Sequence, residues 1–159
     1  GEVDIGIAAG EMHSRAIDTT PLFDDELVAI MPSTHRLAER SYLEAVDFLD
    51  DPFITYSTQA EPGLEDELFW RPAGVRPRKF LRAGLTEAVI ELVRAEFGLS
   101  ILSRWAVVPY LDNGDLVSVR LTQGGLKLRW KAVSRRASGN KDTVATITHQ
   151  LQAWCAGHF

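Results

Sequence analysis

The sequence has little of what marks a secreted, disulfide-stabilised or membrane-inserted chain. It contains one cysteine among 159 residues, Cys155, so no internal disulfide can form. No apolar run approaches the ~18 residues that a membrane-spanning helix requires. Residues 1–4 lack the basic and hydrophobic regions of a signal peptide. These absences predict a cytoplasmic protein that does not enter a membrane.

Motifs for catalysis or metal binding are also missing. There is no G-x-S-x-G, no P-loop and no G-x-G-x-x-G, and the pair Gly124-Gly125 precedes a predicted strand, which favours a turn. Acidic clusters at 24–26 and 65–67 could supply an acid and a base, but a solvated helix start explains the second one. No zinc-site spacing occurs among the four histidines, which are His13, His35, His149 and His158. The sequence therefore predicts no enzyme activity, no metal and no cofactor.

The composition is that of a globular domain, with 45% hydrophobic and 25% charged residues. A chain of this length buries roughly 70% of its unfolded surface, enough for one domain or two small lobes. The net charge is −5, and the basic residues, densest at 71–79, are scattered among acids. Such a surface repels a polyanion, so if the protein acts on DNA, another part of it contacts the DNA.

Short apolar strands alternate with amphipathic helices along the chain. Strands are predicted at 3–7, 22–31, 53–56, 79–82, 99–102, 116–121 and 126–134. Helices are predicted at 42–49, 62–70, 85–97, 103–111 and 144–154. This order predicts an α/β fold with a largely parallel sheet. Ligands of such sheets lie beyond the carboxyl ends of the strands, which directs attention to the loops after Ile7, Tyr56 and Leu102 and to the helix start at Leu85.

Polar and aromatic residues near these strand ends each have two interpretations. Ser57, Thr58 and Gln59 either hold a ligand carboxylate through neutral hydrogen bonds or form an ordinary polar surface loop. Thr86 caps its helix through the hydroxyl, or it lies where exposed helix amides face an anionic ligand. Trp105 packs in the core, or it lines a cleft.

Five segments, in order along the chain, resemble the effector-binding domain of LysR-type transcriptional regulators. Residues 95–103 resemble the family's A-G-x-G-I-x-x-L-P signature, although Glu96 replaces its first glycine and Ser103 its proline. Arg36 replaces the second proline of a P-x-x-H-P-L motif at 32–37. The other segments are the G-x-L-D-hydrophobic strand at 1–7, the strand that begins at 51–54 and A-G-x-x-P at 73–77. Residues 70–74 and 98–105 also resemble family members that regulate methionine biosynthesis and sense homocysteine.

The resemblance implies a fold like that of type 2 periplasmic binding proteins, with two α/β lobes and a small effector in the cleft. Residues 1–51 would form part of lobe I, 52–104 the core of lobe II, and 105–159 the rest of lobe II and the return to lobe I. The family's N-terminal winged helix-turn-helix is absent from this sequence. So is the first strand-helix-strand-helix stretch of the effector domain, and the first lobe is therefore expected to be incomplete.

The resemblance also implies a set of effector-binding residues and partners. Carried over by position, the pocket comprises Ala8, Ala9, Tyr56, Ser57, Thr58, Leu85, Thr86, Ser103 and Trp105. The implied effector is homocysteine or another amino-acid-like anion, and DNA is contacted only through the absent N-terminal domain of a homodimer or homotetramer. The expected function is to sense a metabolite and control transcription, for example of methionine biosynthesis genes.

Two other classes of protein share this fold. A solute-binding protein of a transporter would need a signal sequence upstream of these residues. An enzyme would need an acid-base pair or a nucleophile in the cleft, and the sequence identifies none.

Overall fold

The computed structural model describes residues 3–10, 14–56, 63–136 and 139–159, and within these ranges the chain has an α/β fold. The strands are β1 (Ile5–Ala9), β2 (Ile17–Pro32), β3 (Tyr42–Leu43), β4 (Phe53–Thr55), β5 (Phe80–Arg82), β6 (Leu99–Ser103), β7 (Leu116–Leu121) and β8 (Leu126–Arg135). The α-helices are α1 (Arg71–Ala73), α2 (Thr86–Arg94), α3 (Arg104–Val107) and α4 (Lys141–His158). Shorter turns of helix are the 3₁₀ segments Ala45–Phe48 and Val108–Tyr110 and the π-helical segment Asp66–Trp70.

The chain divides into two compact units. Unit 1 comprises residues 1–25 and 127–159, and unit 2 comprises residues 26–126. The lobe boundaries that the resemblance implies, at 51/52 and 104/105, concern the family's lobes and stay a prediction. In the described ranges, no helix combines the length and the apolar character needed to cross a membrane.

The sheet of unit 2 is mixed, and the prediction of a largely parallel sheet was wrong. Its strand order is β3-β7-β2-β6-β4-β5. β4 is parallel to both β5 and β6, and β3 is parallel to β7. β2, however, is antiparallel to β6 and to β7. Apolar periodicity reports which face of a strand is buried but carries no information about strand direction, so the sequence pattern could not reveal this.

Residues 42–49, predicted as one helix, form two different elements. Tyr42–Leu43 is β3, and the 3₁₀ segment Ala45–Phe48 follows it. The backbone N–H of Glu44 donates to Asp47 Oδ2 at 2.8 Å. Such a local bond between a side chain and the backbone competes with helix hydrogen bonding, and it begins a short turn at Glu44 instead of continuing a helix from Tyr42.

Both faces of the unit 2 sheet are covered. Ile54 lies in a buried cluster with Val89, Ile90 and Val93 of α2. Its neighbour Phe53 points to the other face, because successive strand residues alternate sides. There it packs in an aromatic cluster with Phe48, Phe80 and Trp70, and Phe69 joins through Phe48 and Trp70. Burial on both faces explains why residues 27–31 of β2 form a continuous apolar run.

In unit 1, β8 lies between β1 and β2, and β1 is antiparallel to β8. Phe23 of β2 stacks on Phe159 at 4.1 Å and on Trp130 at 6.1 Å between ring centroids. The Trp130 indole donates to Asp25 Oδ2 at 3.1 Å. On α4, Cys155 is a free, buried cysteine, whereas Trp154 is 54% exposed.

An ion pair also joins β2 to β8 within unit 1. Arg129 Nε donates to Asp24 Oδ1 at 2.7 Å, and Nη2 donates to Oδ2 at 3.4 Å. The hydrogen bond from Arg129 lowers the pKa of the Asp24 carboxyl below its ordinary value. The same bond raises the pKa of Arg129.

Candidate functional site

Three parallel strands of unit 2 end at the same edge of the sheet. The register pairs Thr55 of β4 with Arg82 of β5, and Ile54 with Ser100 of β6. Continued for two more residues, the register of β4 and β6 places Tyr56 opposite Leu102, which directly precedes Ser103. We call this edge, formed by the last residues of β4, β5 and β6 and by the residues that follow them, the carboxyl edge. It is the place where open α/β sheets hold ligands.

Buried polar contacts fix these strands to one another just below the carboxyl edge. The Ser100 hydroxyl, which is fully buried, donates to the Ile54 carbonyl at 2.6 Å. Ala83 N–H donates to the Thr55 carbonyl at 3.0 Å. The Thr55 hydroxyl donates to Glu65 Oε1 at 3.1 Å. The edge is thus built on a rigid framework, as a binding site requires.

Helix α2 begins at the carboxyl edge without a side-chain cap. Leu85 is the N-cap residue, with extended φ and ψ of −133° and 139°, and among the described residues no side chain caps the helix. The prediction that Thr86 caps α2 was wrong, because Thr86 is already the first helical residue. The first amides of a helix have no partner within the helix. Without a cap they are available to an acceptor such as a carboxylate, and the helix dipole favours a negative charge there.

The structure brings five of the nine predicted site residues to the carboxyl edge. Tyr56, Leu85 and Trp105 are 50%, 64% and 44% exposed, so this edge presents large apolar side chains to the solvent. Ser103 is the N-cap residue of α3 and is partly buried, as is Thr86. Trp105 therefore does not pack in the core, which was one of its two interpretations.

The other four predicted residues lie elsewhere in the chain. Ala8 and Ala9 belong to unit 1, at the end of β1, where they pair with Lys131 and Trp130 of β8. Ser57 and Thr58 lie outside the described residues.

Two arginines at the carboxyl edge were not predicted from the sequence. Arg82 ends β5 and Arg104 begins α3, and both are exposed. They add positive charge to an edge that already presents the start of α2. The signal that could have found them is a basic residue at the end of a predicted strand. Within the described ranges, no three His, Cys, Asp or Glu side chains lie close enough together to bind a metal ion.

The family model described as the LysR substrate binding domain matches residues 1–156. The chain belongs to this family, and its fold is that of type 2 periplasmic binding proteins.

Several curated relatives are HTH-type transcriptional regulators. The chain is 33% identical over 138 residues to the HTH-type transcriptional regulator MetR of Haemophilus influenzae. The matched region covers 84% of this chain and 43% of that protein. It is 28% identical to the regulatory domain of MetR from N. meningitidis, with a TM-score of 0.84 over 98% of this chain and 71% of that one. The CcmR regulatory domain of Synechocystis, solved in complex with 2-PG, shares the fold at 22% identity, with a TM-score of 0.82 over 97% and 74% of the two chains.

The chain spans less than half the length of the curated relatives, 43% in the case of H. influenzae MetR. The similarity therefore concerns the regulatory domain.

Proposed function

We propose that this chain is the effector-sensing part of a LysR-type regulator, and that it binds a small anionic metabolite at the carboxyl edge. The observation that carries the proposal is the uncapped start of α2 beside three parallel strand ends. Free helix amides and the positive end of the dipole suit a carboxylate. The nearby side chains of Arg82 and Arg104 favour the same charge.

Specific residues take defined roles in this proposal. The hydroxyls of Thr86 and Ser103 bond the carboxylate, while Leu85, Tyr56 and Trp105 contact the apolar part of the ligand and exclude water. By resemblance, Ser57, Thr58, Ala8 and Ala9 also belong to the set of effector-binding residues. The effector would be an amino-acid-like anion, and the similarity to MetR makes homocysteine the first candidate.

The remaining parts of the proposal concern the longer protein. DNA would be contacted by a separate N-terminal domain, in keeping with the net charge of −5 of this chain. The protein would act in the cytoplasm as a homodimer or homotetramer, without catalysis, and would regulate methionine biosynthesis genes. Effector binding would shift the equilibrium between two conformations, with a coupling free energy of typically 1–3 kcal/mol.

Isothermal titration calorimetry with homocysteine tests the proposal. Ser103→Ala and Thr86→Val each remove one hydrogen bond to a charged group, worth about 1.5–3 kcal/mol, so each should raise Kd by about tenfold or more. Ser118→Ala and Thr146→Val are the matched controls, since these residues lie on β7 and α4, and both should leave Kd unchanged.

Two outcomes would contradict the proposal. An equal Kd for homocysteine in all four variants would show that the binding site does not lie at the carboxyl edge. No heat with homocysteine would refute homocysteine as the effector, and methionine and other amino acids would then be titrated in its place.

A further inference from the structure

A second cleft lies at the opposite edge of the unit 2 sheet, where β4 and β6 begin. It has a volume of about 360 Å³, within the range of small-molecule sites. Pro52, which precedes β4, and Gly98, which precedes β6, form part of its lining. Because β4 and β6 are parallel, their amino ends lie at the edge opposite the carboxyl edge, and none of the predicted effector-binding residues that the structure describes lines this cleft.

Arg36 lines the cleft with donors that are still available. Its Nη2 donates to Asp51 Oδ2 at 2.7 Å and to the Asp47 carbonyl at 3.3 Å. Within the described residues its Nε and Nη1 make no hydrogen bond, and the side chain is 49% exposed. His35 Nε2 lies 3.4 Å from Asp51 Oδ1, while its Nδ1 accepts from the Leu37 N–H. The guanidinium is thus oriented by Asp51 and keeps two donor groups for a ligand.

Glu96 contributes the opposite charge to the same cleft. It lies just after α2 with a left-handed φ of 61°. Its N–H donates to the Val93 carbonyl at 2.9 Å, and Phe97 N–H donates to the Leu92 carbonyl at 3.0 Å. These two bonds form a Schellman motif, in which this position usually holds glycine. A glutamate here is strained, and within the described residues its carboxylate has no hydrogen bond or ion pair.

The two charged positions share a further property. Arg36 and Glu96 replace a proline and a glycine of the two LysR-family motifs that residues 32–37 and 95–103 resemble. The structure brings both replacements to one cleft, yet they form no ion pair within 4 Å. A structural role explains Arg36, which ties its loop to Asp51, but it does not explain Glu96, since glycine would close the helix with less strain.

We propose that this cleft binds a small zwitterion of the α-amino acid class. Glu96 binds the ammonium group, and the free Nε and Nη1 groups of Arg36 donate to the carboxylate. Opposite charges that are held apart in one cleft match the separated charges of such a ligand. The proposal does not rest on the effector function, because it concerns the other edge of the sheet.

Nuclear magnetic resonance titration with L-alanine tests this site and locates it. In ¹H–¹⁵N spectra of the protein, we expect saturable shifts at the amides of Gly98, Leu99 and Arg36. Glu96→Gln keeps the side-chain length and removes the charge, and it should raise Kd at least tenfold. Arg36→Gln should do the same. Glu39→Gln and Arg40→Gln are the matched controls, because both residues are exposed in the same region and do not line the cleft.

Single-charge probes separate the two halves of the proposal. Ethylamine and acetate should each bind at least tenfold more weakly than L-alanine. Equal binding of ethylamine would overturn the role of Arg36, and equal binding of acetate that of Glu96. Each of three results would overturn the second site altogether. The shifts could be confined to Thr86 and Ser103, no saturable shift could occur up to about 50 mM alanine, or Kd could be unchanged in Glu96→Gln. None of these results depends on whether homocysteine binds at the carboxyl edge.

Discussion

Replacing Gly98 with alanine should destabilise the protein, because there is no room for a methyl group beside Pro52. A Cβ at position 98 would lie 2.9 Å from the Pro52 carbonyl carbon and closer still to its oxygen. Carbon atoms pack at about 3.5–4.0 Å, so the first residues of β4 and β6 must separate by roughly 1 Å. That shift breaks the hydrogen bond from Leu99 N–H to the Pro52 carbonyl, which is 2.9 Å long.

The magnitude of the effect follows from two costs. A buried hydrogen bond that is lost and leaves its groups unpaired costs about 1–3 kcal/mol. Overpacking of the neighbouring core, where Phe53 and Leu99 are each 1% exposed, costs about 1–3 kcal/mol more. The sum, about 2–6 kcal/mol, is a large part of a typical stability of roughly 5–15 kcal/mol. For a chain of this length each kcal/mol lowers Tm by about 2–4 °C, so the fall in Tm should be about 4–24 °C.

Urea denaturation and calorimetry of Gly98→Ala measure this effect, and Gly124→Ala is the control. No atom lies within 4 Å of a Cβ at position 124, so its stability should change by less than about 0.5 kcal/mol. If Gly98→Ala is as stable as the control, the close approach of residue 98 to Pro52 is wrong.

Three further substitutions test the structure. Glu96→Gly should stabilise the protein by about 0.5–1 kcal/mol in urea, because it relieves a left-handed φ of 61°, and a loss of stability would contradict the Schellman geometry. Ser100→Ala should cost about 1 kcal/mol or more, since it removes the buried bond to the Ile54 carbonyl, and an unchanged midpoint would contradict that bond. In an NMR pH titration Asp24 should titrate below its ordinary pKa, and Arg129→Gln should raise that pKa. The ion pair therefore stabilises the fold above the ordinary pKa of Asp24, and this stabilisation is lost as the pH falls through the lowered pKa of the folded protein. An equal pKa of Asp24 in the wild-type protein and in Arg129→Gln would refute the ion pair.

The positions of most elements could be predicted from local pattern alone. Apolar spacing placed a strand at 116–121, which is the range of β7, and a helical stripe where α2 lies. The same pattern failed at 42–49, where hydrogen bonds between Glu44 and Asp47 start a 3₁₀ turn. It also could not give the antiparallel direction of β2, which depends on contacts distant in sequence.

The candidate site was predictable to the extent that it depends on strand ends. Tyr56 and Ser103 reach the carboxyl edge because parallel strands β4 and β6 bring their carboxyl ends together. The cap at Thr86 was not predictable, because the backbone angles of Leu85 decide which residue is the N-cap. The contributions of Arg82 and Arg104 depend on strand register and on the start of α3, which composition does not determine.

A crystal structure of the protein grown with homocysteine is the most direct test of effector sensing at the carboxyl edge. We predict that its carboxylate lies within hydrogen-bond distance of the first amides of α2 and of the Thr86 and Ser103 hydroxyls. Its apolar part should lie against Trp105. Homocysteine bound at a site that includes none of these residues would contradict the central claim.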